Sequence, residues 1–304
     1  MTAPRRRPVI IDCDPGVDDA VALMLACASP EIDLLGVTTV AGNVGVDLTT
    51  RNALRVLTLA GRTDIPVAAG AARPLVRRPP ARTRSRHGVA GLAGATLPEP
   101  AVGPMIGPAL GLLAGLVSSS PRPVTLVAVG PLTNVAVFMA VHPELATRLE
   151  RLIVLGGCRD TGGVPAVEFN VGTDPEAAYR VLTDPGIARL PTTVIGIDVS
   201  AAVRVDAAGL DRLGAGGKLG QSAAALLRGS GEPPVTVHDA VAVAEAIWPR
   251  SVQVAPAVVT VDCGDTATRG RLRTSPVATS HTRVAVSAQT GLLDLIVHRL
   301  TDAG

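Results

Sequence analysis

The chain has 304 residues, and 28 Lys and Arg against 26 Asp and Glu leave a formal charge of +2, which gives no global electrostatic case for a nucleic-acid partner. Its aromatic residues are Trp248, Tyr179, Phe138 and Phe169, too few rings for a single-strand stacking platform. Gly, Pro or a charge interrupts every apolar run before the ~18–20 residues of a membrane helix, and the cysteines (Cys13, Cys27, Cys158, Cys263) form no C-x-x-C pair and have no His at zinc spacing, so they read as reduced, buried small hydrophobes.

From the N-terminus, Arg5, Arg6 and Arg7 precede the short apolar run Val9-Ile10-Ile11, which stops at Asp12. That is not the apolar core and cleavage site of a signal peptide, so the default expectation is a cytoplasmic protein. Strands are predicted at Val9–Asp12, Leu34–Thr39, Val124–Val129, Leu152–Leu155, Thr193–Ile197 and Val254–Val261. Helices are predicted at Asp18–Ala28, Leu48–Ala60, Leu132–Val141, Pro175–Leu182 and Ala240–Ile247. Strands that are apolar throughout, mostly followed by helices, mean a parallel sheet covered on both faces. With no fixed-period repeat and no linker, residues 1–304 read as a single α/β domain. Two stretches read as flexible loops. One is Arg73–Pro104, with Arg77, Arg78, Arg82, Arg84 and Arg86; the other is Gly214–Pro234, with a short helical piece at Ser222–Arg228. The arginine cluster reads first as a solvated loop.

The most informative segment is Asp12-Cys13-Asp14-Pro15-Gly16-Val17-Asp18-Asp19-Ala20. An apolar strand ends in alternating aspartates, Pro15-Gly16 turns the chain, and Asp18-Asp19 open a helix. Carboxylates at a helix start gain from capping and the helix dipole. That could make one of Asp18 and Asp19 structural only, but it does not cover four. Several carboxylates at the carboxyl end of a strand repel unless a cation neutralises them, and hard oxygen donors suit Ca²⁺ or Mg²⁺. The carboxyl ends of parallel strands are also where such sheets bind ligands. Phosphatases with an aspartyl nucleophile share the D-x-D but favour Thr where this chain has Gly16, and the Glu of an EF-hand loop is missing.

Downstream, Thr38-Thr39-Val40-Ala41-Gly42-Asn43, Gly130-Pro131-Leu132-Thr133-Asn134, Glu168-Phe169-Asn170, Asp174-Pro175-Glu176-Ala177-Ala178 and His238-Asp239 complete a series. Each alone has an ordinary reading as a turn, a cap or a surface residue. In this order, and with the opening motif, they resemble the inosine-uridine-preferring nucleoside hydrolases over nearly the whole chain. The resemblance implies a mainly parallel, doubly wound central sheet with extra strands, and hydrolysis of the N-glycosidic bond of ribonucleosides. It implies one Ca²⁺ held by Asp14, Asp19, Asp239 and the backbone carbonyl of Val129, with Asp14 also the general base on water. It places Asp18, Asn43, Glu168 and Asn170 on the ribose hydroxyls, His87 in a loop beside the substrate, and His238 as proton donor to the leaving base. Asp12 is expected to organise the site. A homodimer or homotetramer acting on a small-molecule ribonucleoside, with no nucleic-acid or membrane partner, is implied as well.

The chain also departs from that pattern. Gly162 stands where the family usually carries an Asn for the 5′ side of ribose, Val89-Ala90 replace a more polar continuation after His87-Gly88, and the 214–234 stretch lacks closing aromatics. Ribose recognition thus reads as kept and base recognition as thin. Rival readings are a same-fold hydrolase of another ribosyl compound (a nicotinate riboside or a 5′-modified nucleoside), a non-catalytic nucleoside- or ribose-binding protein, and a metal phosphoesterase.

Overall fold

The computed structural model describes residues 6–77, 86–159, 167–183 and 190–303. Strands β1 (Arg7–Cys13), β2 (Ile32–Thr39) and β3 (Val67–Ala69) alternate with helices α1 (Val17–Cys27) and α2 (Val46–Leu59). Helix α3 (Ala109–Ser119) leads into β4 (Val124–Ala128), α4 (Thr133–Val141), α5 (Pro143–Ala146) and β5 (Leu149–Leu155). There follow α6 (Phe169–Thr173), α7 (Pro175–Thr183), β6 (Thr192–Ile195) and α8 (Ile197–Ser200). A small hairpin layer holds β7 (Arg204–Val205), α9 (Ala207–Gly214), α10 (Lys218–Ser230) and β8 (Val235–Thr236). Helix α11 (His238–Ile247), β9 (Val252–Val261), β10 (Leu272–Pro276), β11 (Thr282–Ala288) and α12 (Leu292–Asp302) complete the chain.

One sheet of nine strands runs in the order β10-β9-β11-β6-β5-β4-β1-β2-β3. From β11 to β3 every neighbouring pair is parallel, whereas β9 pairs antiparallel with both β11 and β10. The α/β architecture with extra strands expected from the sequence is therefore the one observed. The apolar strands are apolar because each faces two cores. Val9, Ile11 and Cys13 of β1 enter the core under α1, α10, α11 and α12, while Ile10 enters the core under α3, α4 and α7. The β4 side chains divide in the same way, Val127 to one side and Leu126 to the other.

The chain moves outward from β1 through β2 to β3, then returns to place β4 on the other side of β1. That reversal falls at the carboxyl ends of β1 and β4, the standard ligand position in such sheets. Two helices point their N-termini at it. All of α1 from Val17 to Ala26, and all of α11 from Asp239 to Ile247, is buried. The small side chains of α11, chiefly Ala and Val, let the two helices pack closely.

The Gly214–Pro234 stretch differs from its loop reading. Instead of a short piece at Ser222–Arg228, it holds the thirteen-residue helix α10. Leu219, Ala223, Leu226 and Leu227 fall on one face and are buried, so tertiary packing outweighs the glycines around it. The predicted strand Thr193–Ile197 ends earlier, at Ile195, and Ile197 begins α8. The described residues of the Arg73–Pro104 stretch contain neither helix nor strand. No helix among the described residues is long and apolar enough to cross a membrane.

Candidate active site

Strand β1 carries Asp12 on the α4 side of the sheet. Its Oδ1 accepts from Thr38 Oγ1 at 2.6 Å and from Asn134 Nδ2 at 2.8 Å, while Oδ2 is buried without a partner. Burial pushes its carboxyl up to about 7, with the two hydrogen bonds pulling the other way. Asn134 is itself fixed, since its Nδ2 also donates to the Thr39 carbonyl and its Oδ1 accepts from the Ala71 N–H. Asp12 thus ties β1, β2 and α4 together through Thr38 and Asn134.

Asp14 follows the strand end. Its Oδ2 accepts the Asn43 N–H at 2.6 Å, and its Oδ1 is buried with no hydrogen-bond partner. Burial and the neighbouring Asp19 charge push its carboxyl well above the usual carboxylate range. Close backbone approach at this acid explains two glycines. A Cβ at Gly42 would lie 2.1 Å from Asp14 Oδ2, and one at Gly130 would lie 2.8 Å from Asp14 Oδ1.

The first turn of α1 supplies Asp18 and Asp19. Asp19 Oδ1 accepts from the Asp14 N–H at 3.1 Å, and Oδ2 accepts from Gly16 N–H at 3.0 Å and Asn43 Nδ2 at 3.1 Å. Burial pushes Asp19 up to about 6 and Asp239, in the first turn of α11, well above its ordinary value. Ligand oxygens of Asp18, Asp19 and Asp239 lie within 4.8 Å of one another. Asp14 is hydrogen-bonded to this group through Asp19 but stands outside that distance set, which brings in Asp18 instead. Asp18 differs electrostatically from the rest. Burial raises it, but Arg86, His87 and His238 outweigh burial and hold it below the usual carboxylate range.

Of the remaining predicted residues, Asn43 bonds to Asp14 and Asp19 and His87 lies 3.9 Å from Asp18, while Asn170 reaches the end of β4 at Val129. Asn43 Nδ2 also donates to the Asp14 carbonyl at 3.1 Å, so its two amide hydrogens are taken and its carbonyl oxygen is what it can offer. The same holds for Asn170, whose Nδ2 donates to the Val129 carbonyl at 2.7 Å and to Leu155 O at 3.3 Å. Glu168 caps α6: Oε1 accepts from Asn170 N–H, and Oε2 accepts from Val171 N–H and from Gly157 N–H. His87 is 8% exposed, and its Nδ1 accepts the Val17 N–H at 3.0 Å, pinning its loop to the start of α1. His238 Nδ1 lies 2.8 Å from Ser200 Oγ, and burial lowers the imidazole from its ordinary value. Gly162 falls outside the described residues.

Arg86, Thr236 and Ser200 were not singled out from the sequence. Arg86, read there within a solvated cluster, instead donates through Nη2 to Asp18 Oδ2 at 2.5 Å. Its position directly before His87-Gly88 was the available signal. The groove between α2 and the 100–104 segment, lined by Asp47, Thr50, Arg51 and Leu54, contains none of the constellation.

Hard oxygen donors crowded by burial, with one orphaned carboxylate oxygen at Asp14, fit a divalent cation. The same arrangement offers a buried base, acceptors for a polyol, and an imidazole at the start of α11.

A family model described as inosine-uridine preferring nucleoside hydrolase matches residues 9–292. The chain is 48% identical over 200 residues to a pyrimidine-specific ribonucleoside hydrolase RihA of Photobacterium profundum, a match covering 66% of this chain and 63% of that protein. The match therefore spans less than two thirds of that curated relative's length. Among solved structures, a plant nucleoside hydrolase, the PpNRh1 enzyme, superposes with a TM-score of 0.88 at 31% identity, covering 98% of this chain and 99% of the other. A purine-preferring ribonucleoside hydrolase from Gardnerella vaginalis gives a TM-score of 0.85 at 25% identity, covering 97% of this chain and 98% of the other.

Proposed function

The chain belongs to the inosine-uridine preferring nucleoside hydrolase family, and from that premise we propose that it hydrolyses the N-glycosidic bond of ribonucleosides to a free base and ribose. The observation that carries the reading is the meeting of Asp14, Asp18, Asp19 and Asp239 at the carboxyl ends of β1 and β4, among acceptor-oriented Asn43 and Asn170.

Asp14 is the general base in this scheme. Its unpartnered Oδ1 takes a proton from the attacking water, a step worth typically ~10²–10⁴-fold. The ionised carboxylates stabilise positive charge growing on the ribose ring as the bond to the base breaks. Asp18, Asn43, Glu168 and Asn170 hold the ribose hydroxyls; with their amide hydrogens committed, the two asparagines accept from hydroxyls through their carbonyl oxygens. His87 keeps its loop against the start of α1, beside the sugar. His238 delivers a proton to the departing base, and Ser200 sets the orientation of its ring.

Calcium is the proposed cation, held by Asp14, Asp19, Asp239 and the Val129 carbonyl, and it supplies Lewis-acid polarisation of water and offsets the carboxylates' repulsion. Asp18 is left to the sugar because Arg86 already offsets its charge. A cytoplasmic homodimer or homotetramer belongs to the same proposal. The relatives' names differ over the preferred base, pyrimidine in one and purine in another, so the substrate proposed is the ribonucleoside class.

The test is a nucleoside panel with and without chelator, read by free ribose. Chelator-sensitive ribose release is the expected result. Release of phosphate from nucleotides in its place, or binding without turnover, overturns the proposal.

A further inference from the structure

Arg86 spans three segments that are remote in sequence. Its Nη2 donates to Asp18 Oδ2 at 2.5 Å, and its Nη1 donates to Thr236 Oγ1 at 3.2 Å. Thr236 ends β8, two residues before His238 opens α11. The next residue in the chain, His87, accepts the Val17 N–H through Nδ1. One side chain thereby connects the start of α1, the Arg86–His87 segment and the β8–α11 junction.

The burial of the partners fits a lid over an acid. The Arg86 side chain is 38% exposed and that of Asp18 only 8%. An ion pair with one buried member is screened less than a surface pair, and a planar guanidinium holds two acceptors at fixed directions. Asp18 Oδ1 stands outside the pair, 3.9 Å from His87 Nδ1, a nitrogen already occupied by Val17. The carboxylate therefore has one oxygen committed to the guanidinium and a second, Oδ1, that Arg86 does not bind.

We propose that Arg86 is a positioning residue of the ribosyl site. It fixes the Asp18 carboxylate with Oδ2 on the guanidinium and Oδ1 towards the sugar, and it straps the His87 loop to the β8–α11 junction. The kinetic part of the inference rests on the nucleoside-hydrolysing reading; the strap does not.

The test compares wild type, Arg86→Met, Arg86→Lys, Asp18→Asn and the Arg86→Met/Asp18→Asn pair. Two quantities are read: kcat and KM for a ribonucleoside in saturating calcium, and amide hydrogen exchange of residues 86–97. Arg86→Met should raise KM about tenfold, the loss of one hydrogen bond to a charged group, with a much smaller change in kcat. Arg86→Lys keeps the charge but not the fork, and should recover part of the loss. The pair should be no worse than Asp18→Asn alone, because both changes remove the same ion pair. Exchange of 86–97 should be faster in Arg86→Met than in wild type. An unchanged KM, or additive effects in the pair, overturns the positioning role. Unchanged exchange overturns the strap. If the wild type frees no ribose from any nucleoside, the proposed function falls and exchange alone decides the strap.

Discussion

Asn43 donates its backbone N–H to Oδ2 of Asp14 at 2.6 Å, while the buried Oδ1 of the same carboxylate has no hydrogen-bond partner. One oxygen is fixed by the fold and the other is left for chemistry. A buried orphan of this kind is costly unless a ligand completes it.

The base role of Asp14 follows from that asymmetry. Asp14→Asn keeps an oxygen in place but takes no proton from water. Turnover should fall by about two to four decades, with substrate affinity changing far less. Steady-state kinetics decide it, and normal turnover in the variant removes Asp14 from the role.

Asp239 is expected to matter for the cation first. Asp239→Ala deletes one of three carboxylates that approach within 4.8 Å. Calcium affinity measured by calorimetry and ribose release should fall together. Full activity of this variant after exhaustive chelation is incompatible with the metal proposal.

The carboxyl groups give a pH dependence with a defined sign. Burial places Asp12 at about 7 and Asp19 at about 6, against an ordinary value of 3.8. Between the ordinary and the raised values, the folded chain retains protons that the unfolded chain has released. Without a cation, the stability tied to these groups is therefore greatest on the acid side and is lost as pH rises through 6 and 7. A cation binds the ionised forms, so its stabilising effect grows over the same interval. Thermal melts in chelator should decline from about pH 5 to about pH 8, and added calcium should raise Tm more at the upper end. A melting temperature in chelator that climbs across this window contradicts the assignment.

His238 should be most important where the leaving group needs a proton. Burial lowers its imidazole, which makes protonation a limiting resource near neutrality. His238→Ala should reduce kcat/KM for natural nucleosides more than for p-nitrophenyl riboside, whose leaving group departs as an anion. Equal losses on both substrates would assign the ring a positional task.

Gly42 is a test of crowding. Gly42→Ala brings a Cβ to 2.1 Å from Asp14 Oδ2, so the carboxylate or its loop must shift. Overpacking of this kind costs typically ~1–3 kcal/mol. A lower melting temperature together with reduced turnover is expected; unimpaired activity would show that Asp14 tolerates displacement.

Much of this protein was legible from its residues alone. Apolar strands such as Val9–Ile11 and Val124–Val127 required a two-sided sheet, because no solvated face could bear them. The run from Asp12 to Asp19 required a charged crevice at a strand end, and its companion motifs marked the family. What sequence could not supply was distance. Helix α10 formed across glycines because Leu219, Leu226 and Leu227 found a core. Strand β11, with Thr282, Arg283 and Ser287 among its seven residues, entered the sheet because β6 and β9 offered hydrogen bonds on either side. Arg86, one arginine among many in a chain-order reading, became the partner of Asp18 when folding brought Arg86 and His87 against the start of α1. Local chemistry is written in sequence order, but which charge meets which acid is decided by long-range packing.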